Sequence, residues 1–437
     1  MMQTVKMNTN CYIQEGPTNN MMHENQTEIE KVILVAVHDR YETDGAASIA
    51  ELGELVKTAG AETVGVLEQN LELANPGTYI GSGKMDELKT MIAVLRATGI
   101  VCDTELTPAQ MKNLSTVLDV KVMDRTMIIL DIFAARANTK EGKIQVELAQ
   151  LKYNATMLVG LRDSLSRLGG GIGTRGPGEK KLEMDRRLIR EQISKLKREL
   201  EDVKKHRQTQ RKRRMENRSP VLCIVGYTNA GKSTLLNQLT NADVLSEDML
   251  FATLDPTTKA LKLPDGQNVM LTDTVGFISK LPHHLIQAFR STLEEAKYSD
   301  MILHVVDASN PEVDRQMFAV YETLQKLEIF DKPVITVFNK MDLVGDDFIL
   351  KDLRADATVC ISAKKKDGLK ELLCVIEEQL KQTQHYVEGV LPYKDTGILA
   401  DIRMYGKLLE EQYEEDGIHI KAYVRKRELD ILDTRIR

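Results

Sequence analysis

Gly226-Tyr227-Thr228-Asn229-Ala230-Gly231-Lys232-Ser233 lies between an apolar run, Val221 to Val225, and a helix-like stretch, Thr234 to Leu239. Strand, glycine loop and helix in that order form the context that a phosphate-binding loop requires. Its glycines let the backbone curl so that the amides from Tyr227 to Ala230 point at phosphate oxygens. The helix N-terminus adds partial positive charge. In this reading Lys232 reaches the β- and γ-phosphates, the Ser233 hydroxyl ligates Mg²⁺, and Thr234 completes the first helical turn at the phosphates. The stretch sets the fold expectation as well: an α/β P-loop domain of the Ras-like G type.

A second signature follows in Val269 to Gly276. An apolar strand delivers Asp273 to hold Mg²⁺ through water, Thr274 and Val275 continue the loop, and the Gly276 amide senses the γ-phosphate. A third is Asn339-Lys340-Met341-Asp342 after the apolar run from Pro333 to Phe338. A carboxylate at Asp342 accepts hydrogen bonds from guanine N1–H and N2–H₂, donors that adenine does not offer there. Leaving such a carboxylate unpaired rejects the wrong base by about 10⁴ or more. Asn339 is expected to bond N7 and the Lys340 stem to pack on the ring. Ser362-Ala363-Lys364 forms a weaker fourth signal, with the Ala363 amide directed to O6.

Between the first two signatures lies Phe251-Ala252-Thr253-Leu254-Asp255, followed by Pro256-Thr257-Thr258. This is the interval of the first switch, so these residues are expected around the nucleotide. Thr253 is the candidate second Mg²⁺ ligand, with Thr257 or Thr258 as alternatives. Lys232, Gly276 and Thr253 are the residues expected to act in hydrolysis. Four motifs in this order point to guanine nucleotides. The residue after Asp-x-x-Gly is Phe277 rather than a water-orienting Gln, so slow basal turnover raised by a partner is expected. In cation-dependent GTPases an Asn at the position of Asn229 helps hold K⁺, which makes K⁺ a candidate cofactor beside Mg²⁺.

Outside this region, Lys31 to Val37, Glu62 to Leu67, Gly99 to Asp103 and Val120 to Met123 read as strands. They alternate with helical patterns over Ser48 to Ala59, Gly83 to Thr98 and Pro108 to Leu118. That alternation implies a parallel sheet with helices on its faces. Thr78 to Lys84 reads as a turn in preference to a phosphate contact, and His38-Asp39-Arg40 as a solvated loop. From Thr126 helical periodicity runs to about Leu161. It is followed by the glycine-rich stretch Leu168 to Lys181, either a linker or a loop that orders on a phosphate backbone.

Leu182 to Arg218 is helix-forming, with one apolar stripe and a basic end. A one-signed run repels itself unless an anionic partner neutralises it, and RNA phosphates fit. The expected RNA contacts are Arg175, Lys180, Lys181, Lys204, Lys205, Arg207, Arg211, Lys212, Arg213 and Arg214. Aromatics are absent from this stretch, so sequence-independent phosphate contact is expected over base stacking.

The boundaries expected are a disordered tail at 1–28, an α/β domain at 29–125, and a helical subdomain with glycine-rich loop and basic arm at 126–218. A G domain at 219–385 and a small α+β domain at 386–437 follow, the latter read as strand (Val387 to Leu391), helix (Ile398 to Tyr413) and strand (Ile418 to Val424). At 437 residues, roughly two to four domains are expected. No apolar run approaches the roughly 20 residues that cross a bilayer. Five scattered cysteines fit a reducing compartment. A monomer in the cytoplasm, without membrane insertion, is the expectation.

The chain resembles the HflX family of translational GTPases over nearly its full length. Besides the nucleotide motifs, the resemblance rests on Asp124-Arg125-Thr126 with Ile129 to Phe133, on Glu141-Gly142-Lys143 through Leu151, and above all on Gly169 to Gly173 followed by Thr174 to Glu179. It implies a cytosolic GTPase that binds the ribosome, chiefly the large subunit. It also implies a helical arm near the peptidyl transferase region of ribosomal RNA and a role in splitting stalled or idle ribosomes. Where the family has Thr-Gln after Gly-Pro-Gly-Glu, this chain has Lys180-Lys181. Two other classes share parts of the pattern. A membrane-trafficking GTPase lacks support in the chain's last residues, which carry no lipidation cysteine. An RNA-remodelling NTPase acting outside the intact ribosome shares every feature.

Overall fold

The computed structural model describes residues 29–38, 45–166, 177–216, 219–240, 249–252, 254–280, 295–329, 332–345, 350–382 and 384–425. The N-terminal part alternates as β1 (Lys31–His38), α1 (Gly45–Thr58), β2 (Glu62–Asn70), α2 (Ser82–Leu95), β3 (Gly99–Cys102), α3 (Pro108–Leu118) and β4 (Lys121–Asp124). The strands form one parallel sheet in the order β2-β1-β3-β4. β1 from Val32 to Val37 and all of β3 are apolar because helices cover both faces, as in other parallel sheets. α3 begins with a reciprocal cap. Gln110 N–H donates to the Thr107 hydroxyl at 3.3 Å, and Thr107 N–H to the Gln110 side chain at 2.9 Å.

Two expectations in this part resolve clearly. Thr78 to Lys84 is a turn running into α2: Asn75 Oδ1 accepts from Gly77 N–H at 2.8 Å and Thr78 N–H at 3.1 Å. His38 departs from the solvated-loop reading. It is 4% exposed at the end of β1, with Nε2 3.5 Å from the Glu68 carboxylate. Asp39 and Arg40 lie outside the described residues.

α4 (Arg125–Arg136) is capped by Asp124, which accepts from Met127 N–H at 2.9 Å. α5 (Lys140–Ser166) and α6 (Pro177–Glu216) then pack as an antiparallel hairpin, with Arg186 near the start of α6 donating to the Leu158 carbonyl at 3.1 Å. Their seam is Ile144, Leu148 and Leu151 against Ile193, Leu196, Leu200 and Val203, the spacing of one helical stripe on each side. Helix α6 starts at Pro177, so Lys180 and Lys181 belong to its first two turns and not to the glycine loop.

The central part contains β5 (Val221–Gly226), α7 (Lys232–Thr240), β6 (Thr257–Lys262), β7 (Asn268–Asp273), β8 (Met301–Asp307), α8 (Val313–Lys326), β9 (Val334–Asn339), β10 (Ala357–Cys360) and α9 (Leu369–Gln382). Its six strands run in the order β10-β9-β8-β5-β7-β6, parallel except for the β6–β7 pair. One core continues from the N-terminal sheet into this part. It joins Leu34, Leu52, Ile129 and Phe133 to Val225, Phe251, Leu254 and Phe277.

The C-terminal part corrects the strand, helix, strand expectation. β11 (Gln384–Leu391) and α10 (Thr396–Tyr405) are followed by a third strand, β12 (Lys407–Glu414), and then β13 (Gly417–Arg425). The antiparallel order is β11-β13-β12. The helix was expected to run to Tyr413 but stops at Gly406, where a side chain would meet the Tyr423 carbonyl at 2.6 Å. The helix formers of Lys407 to Glu414 instead pair with β13 across a tight turn. Tertiary pairing overrides their propensity.

Candidate nucleotide site

β5 ends at Gly226 with φ +155°, and the loop re-enters α7 through Gly231 at φ +91°. Both positions need glycine for space too. A Cβ at Gly226 would lie 2.2 Å from the Val305 carbonyl, and one at Gly231 2.2 Å from Asn339 Nδ2. The loop borders a cavity lined by Thr228, Asn229, Gly231, Lys232, Ser233 and Thr234 on one side. Met249, Phe251, Ala252, Thr274 and Gly276 close the other. Met249 was not expected there, and nothing in the motif spacing singles it out.

Inside this cavity Lys232 is 7% exposed, and its ammonium donates to the Tyr227 carbonyl at 2.6 Å. Burial pulls its pKa down to about 8, against the pull of Asp273 in the other direction. The Ser233 hydroxyl donates to Asp273 Oδ2 at 2.7 Å. A hydroxyl and a carboxylate this close are two hard oxygen donors of the kind Mg²⁺ takes, so the donor set fits the metal. Thr274 turns its hydroxyl to the Ile224 carbonyl at 2.7 Å, a structural use. Gly276 packs against the loop, where a Cβ would sit 2.8 Å from Thr228 Cγ2 and 3.0 Å from Lys232 Nζ.

The base-reading motif lies at the other end of the loop. Asn339 is 2% exposed, donates to the Ala230 carbonyl at 2.9 Å and accepts the Ala363 amide at 2.9 Å. It stitches the phosphate loop to the fourth motif. The Ala363 N–H, expected to meet O6, is therefore committed to Asn339 in this structure. Asp342 accepts the Ser362 hydroxyl at 2.6 Å, which holds its carboxyl below the usual carboxylate range. Lys340, in the left-handed region at φ +63°, pairs with Asp307 at 2.7 Å. Met341 follows in a short 3₁₀ turn, and Lys364 lies on the exposed side of the fourth motif.

The first-switch interval differs most from expectation. Thr253 lies outside the described residues. Thr257 and Thr258 are strand residues: Thr257 pairs with Asp273, and Thr258 Oγ1 lies 3.0 Å from Thr272 Oγ1. Leu254 and Val275 are core residues at 3% and 5% exposure. Phe251 lines the cavity yet packs edge-on against Phe133 with ring centroids 4.7 Å apart. The Asp255 carboxylate, expected near the nucleotide, instead accepts the Asn138 and Thr139 amides ahead of α5, at 3.0 and 2.8 Å.

Tyr227 is a second surprise. Only its backbone faces the cavity. Its hydroxyl accepts from Ser279 N–H at 2.6 Å, lies 2.7 Å from Ser279 Oγ and contacts the Glu51 carboxylate. Glu51 also pairs with Arg125, whose guanidinium is 1% exposed and lies 2.7 Å from Asp103 Oδ1. Asp103 in turn takes Lys280 at 2.9 Å and the Ser48 hydroxyl at 2.6 Å. Single-sequence reading missed Ser48, Glu51 and Asp103 because their partners lie in distant segments. Arg125 was noted only as part of a motif.

Of the expected RNA contacts, Arg175 lies outside the described residues. Lys180, Lys181, Lys204, Arg207, Arg211, Lys212, Arg213 and Arg214 lie on α6 without described side chains, and Lys205 is exposed beside Asp202.

Comparison with known proteins covers most of the chain. Residues 46–134 match the family model for a GTP-binding GTPase N-terminal region, 136–214 that for a GTP-binding GTPase middle region, and 221–340 that for a 50S ribosome-binding GTPase. The GTPase HflX of Lacrimispora saccharolytica is 63% identical over 395 residues, covering 90% of this chain and 93% of that protein. The GTPase HflX of Caldanaerobacter subterraneus is 50% identical over 403 residues, covering 92% and 93%. The GTPase HflX of Escherichia coli is 39% identical over 394 residues, covering 89% and 92%. Among the described residues, no helix is long and apolar enough to cross a membrane.

Proposed function

Since the chain belongs to the HflX family of GTPases, we propose that it hydrolyses GTP while bound to the large ribosomal subunit, which accelerates turnover, and that the cycle splits stalled or idle ribosomes. The observation that carries this reading is the match of residues 221–340 to the 50S ribosome-binding GTPase model. Those residues supply the cavity holding Lys232, Ser233, Asp273 and Gly276.

In this reading the protein acts as a cytoplasmic monomer. Lys232 exchanges the Tyr227 carbonyl for phosphate oxygens, Gly276 presents its amide to the γ-phosphate, and Asp342 reads the guanine edge. Ser233 and Asp273 hold Mg²⁺, with Thr253 as a further ligand. The metal neutralises phosphate charge when bound. Phe277 has no group with which to orient water, so turnover without a partner is slow. Asn229 is the proposed K⁺ contact. The basic end of α6, from Lys204 to Arg214, is proposed to meet ribosomal RNA phosphates.

The test is steady-state GTP hydrolysis in K⁺ and in Na⁺ buffers, alone and with purified large or small subunits. Strong stimulation by the large subunit alone supports the reading, and a splitting assay on intact ribosomes follows. No stimulation by either subunit removes the ribosomal part and leaves the GTPase. Equal kcat in the two salts removes K⁺.

A further inference from the structure

Asp255 stands 117 and 116 positions from the two residues it bonds, Asn138 and Thr139. Its Oδ2 accepts two consecutive amides, Asn138 at 3.0 Å and Thr139 at 2.8 Å, and its Oδ1 accepts the Thr139 hydroxyl. Thr139 Oγ1 also accepts the Gly142 amide at 3.0 Å. The first amides of a helix have no partner within it, and a carboxylate beside them is favoured by the helix dipole. Thr139 is the cap of α5, and Asp255 holds that cap, through the Asn138 and Thr139 amides and the Thr139 hydroxyl, from another part of the chain. Gly142 is shaped for this contact: a Cβ there would lie 2.5 Å from Asp255 Oδ1.

The segment that bears Asp255 also faces the phosphates. Phe251 and Ala252 line the cavity. Phe251 is pinned on Phe133 of α4 at one end of the segment, and Asp255 is pinned at the start of α5 at the other. Two residues further on, Thr257 pairs with Asp273, whose carboxylate holds Ser233. The cavity wall and the α4–α5 junction are therefore joined by one short piece of chain. Helix α5 is in turn the packed base of the α5–α6 hairpin.

We infer that Asp255 is a positioning residue for GTP hydrolysis: it fixes the cavity wall on the cap of α5 and so links the phosphate site to the helical hairpin. Without that tie the Phe251–Ala252 cavity wall and the Thr257–Asp273 pair beside Ser233 sample more conformations, which slows hydrolysis. GDP, which has no γ-phosphate, is affected much less. The inference rests on the GTP-hydrolase reading and is independent of the ribosomal one.

The experiment uses the full chain without ribosomes. Asp255→Ala is expected to lower kcat about tenfold while GDP affinity stays within about threefold, as for an interaction needed in the transition state. Hydrogen exchange over residues 137–142 is expected to quicken about tenfold as the cap is lost. Gly142→Ala, whose Cβ pushes the carboxylate aside while residue 255 stays Asp, is expected to shift both readouts in the same direction. Thr139→Val does so more weakly, and adding it to Asp255→Ala has less effect than on the parent chain. Asp255→Asn, which keeps an acceptor, is expected to recover part of kcat. Unchanged kcat in Asp255→Ala, unchanged exchange at 137–142, or a loss of GDP affinity as large as the loss of kcat overturns the inference. If Asp255→Ala does not fold, the Gly142→Ala and Thr139→Val results decide.

Discussion

The Tyr227 hydroxyl receives the Ser279 amide proton at 2.6 Å, tying the second residue of the phosphate loop to the segment just past Gly276 and Phe277. The same hydroxyl contacts Glu51, so the tie is anchored on α1 of the N-terminal part. A parallel bridge between Tyr227 and Phe277 backs it up. The phosphate loop and the segment after Gly276 are held together by a side chain that does not line the cavity.

Tyr227→Phe removes that hydroxyl and leaves the half-buried Ser279 amide without its acceptor. An unsatisfied buried donor costs about 1–3 kcal/mol. The expected loss of stability is in that range, read by urea unfolding, with faster exchange at Ser279. A variant as stable as the parent would show that water replaces the hydroxyl.

Arg125→Met should cost more. Its guanidinium is 1% exposed and sits between Glu51 and Asp103. Removing one member of such a buried group costs about 3–5 kcal/mol, because the carboxylates left behind repel each other. Denaturant unfolding measures the loss directly. A change of under about 1 kcal/mol, the scale of an exposed pair, contradicts the assignment.

Lys232 gives a pH signature. Its pKa of about 8 lies below the ordinary value of 10.5 because the ammonium is buried. Between those values the unfolded chain binds more protons than the folded one, so this group makes the folded protein gain stability as pH rises through that window. Nucleotide phosphates favour the charged ammonium, so binding above pH 8 takes up a proton. Titration calorimetry of GDP in buffers of different ionisation heat should show uptake growing between pH 7 and pH 9. Uptake that is the same at both pH values assigns the proton elsewhere.

Asp342→Asn tests base reading. The parent carboxylate is oriented by Ser362 at 2.6 Å. An amide offers a donor where guanine also presents donors, so GTP affinity should fall by about 10² or more, while xanthine nucleotides gain. Retained guanine preference moves base reading to another residue.

Replacing Arg211, Lys212, Arg213 and Arg214 by Glu tests the basic end of α6. Each lost phosphate contact should flatten the salt dependence of RNA binding by about 0.7–0.9 in the log–log slope. A slope equal to the parent's makes this run a solvated helix face.

The sequence by itself determined what is local. Spacing located the glycine loop and placed Asp273 and Asp342 at the ends of their strands, because each motif is a short strand–loop unit whose backbone geometry depends on adjacent residues. Alternating apolar runs likewise determined the parallel N-terminal sheet, and the resemblance over the full length named the family. Only the tertiary structure decided where Tyr227, Asp255 and Arg125 point. Their partners lie 176, 116 and 74 positions away, and no local periodicity records which distant groups meet once the core closes. It also turned Lys407–Glu414 from helix to strand, since a free edge on β13 offers this segment a full ladder that an isolated helical turn cannot match. Motifs are written in neighbouring residues; the couplings between them arise from side chains brought together by packing.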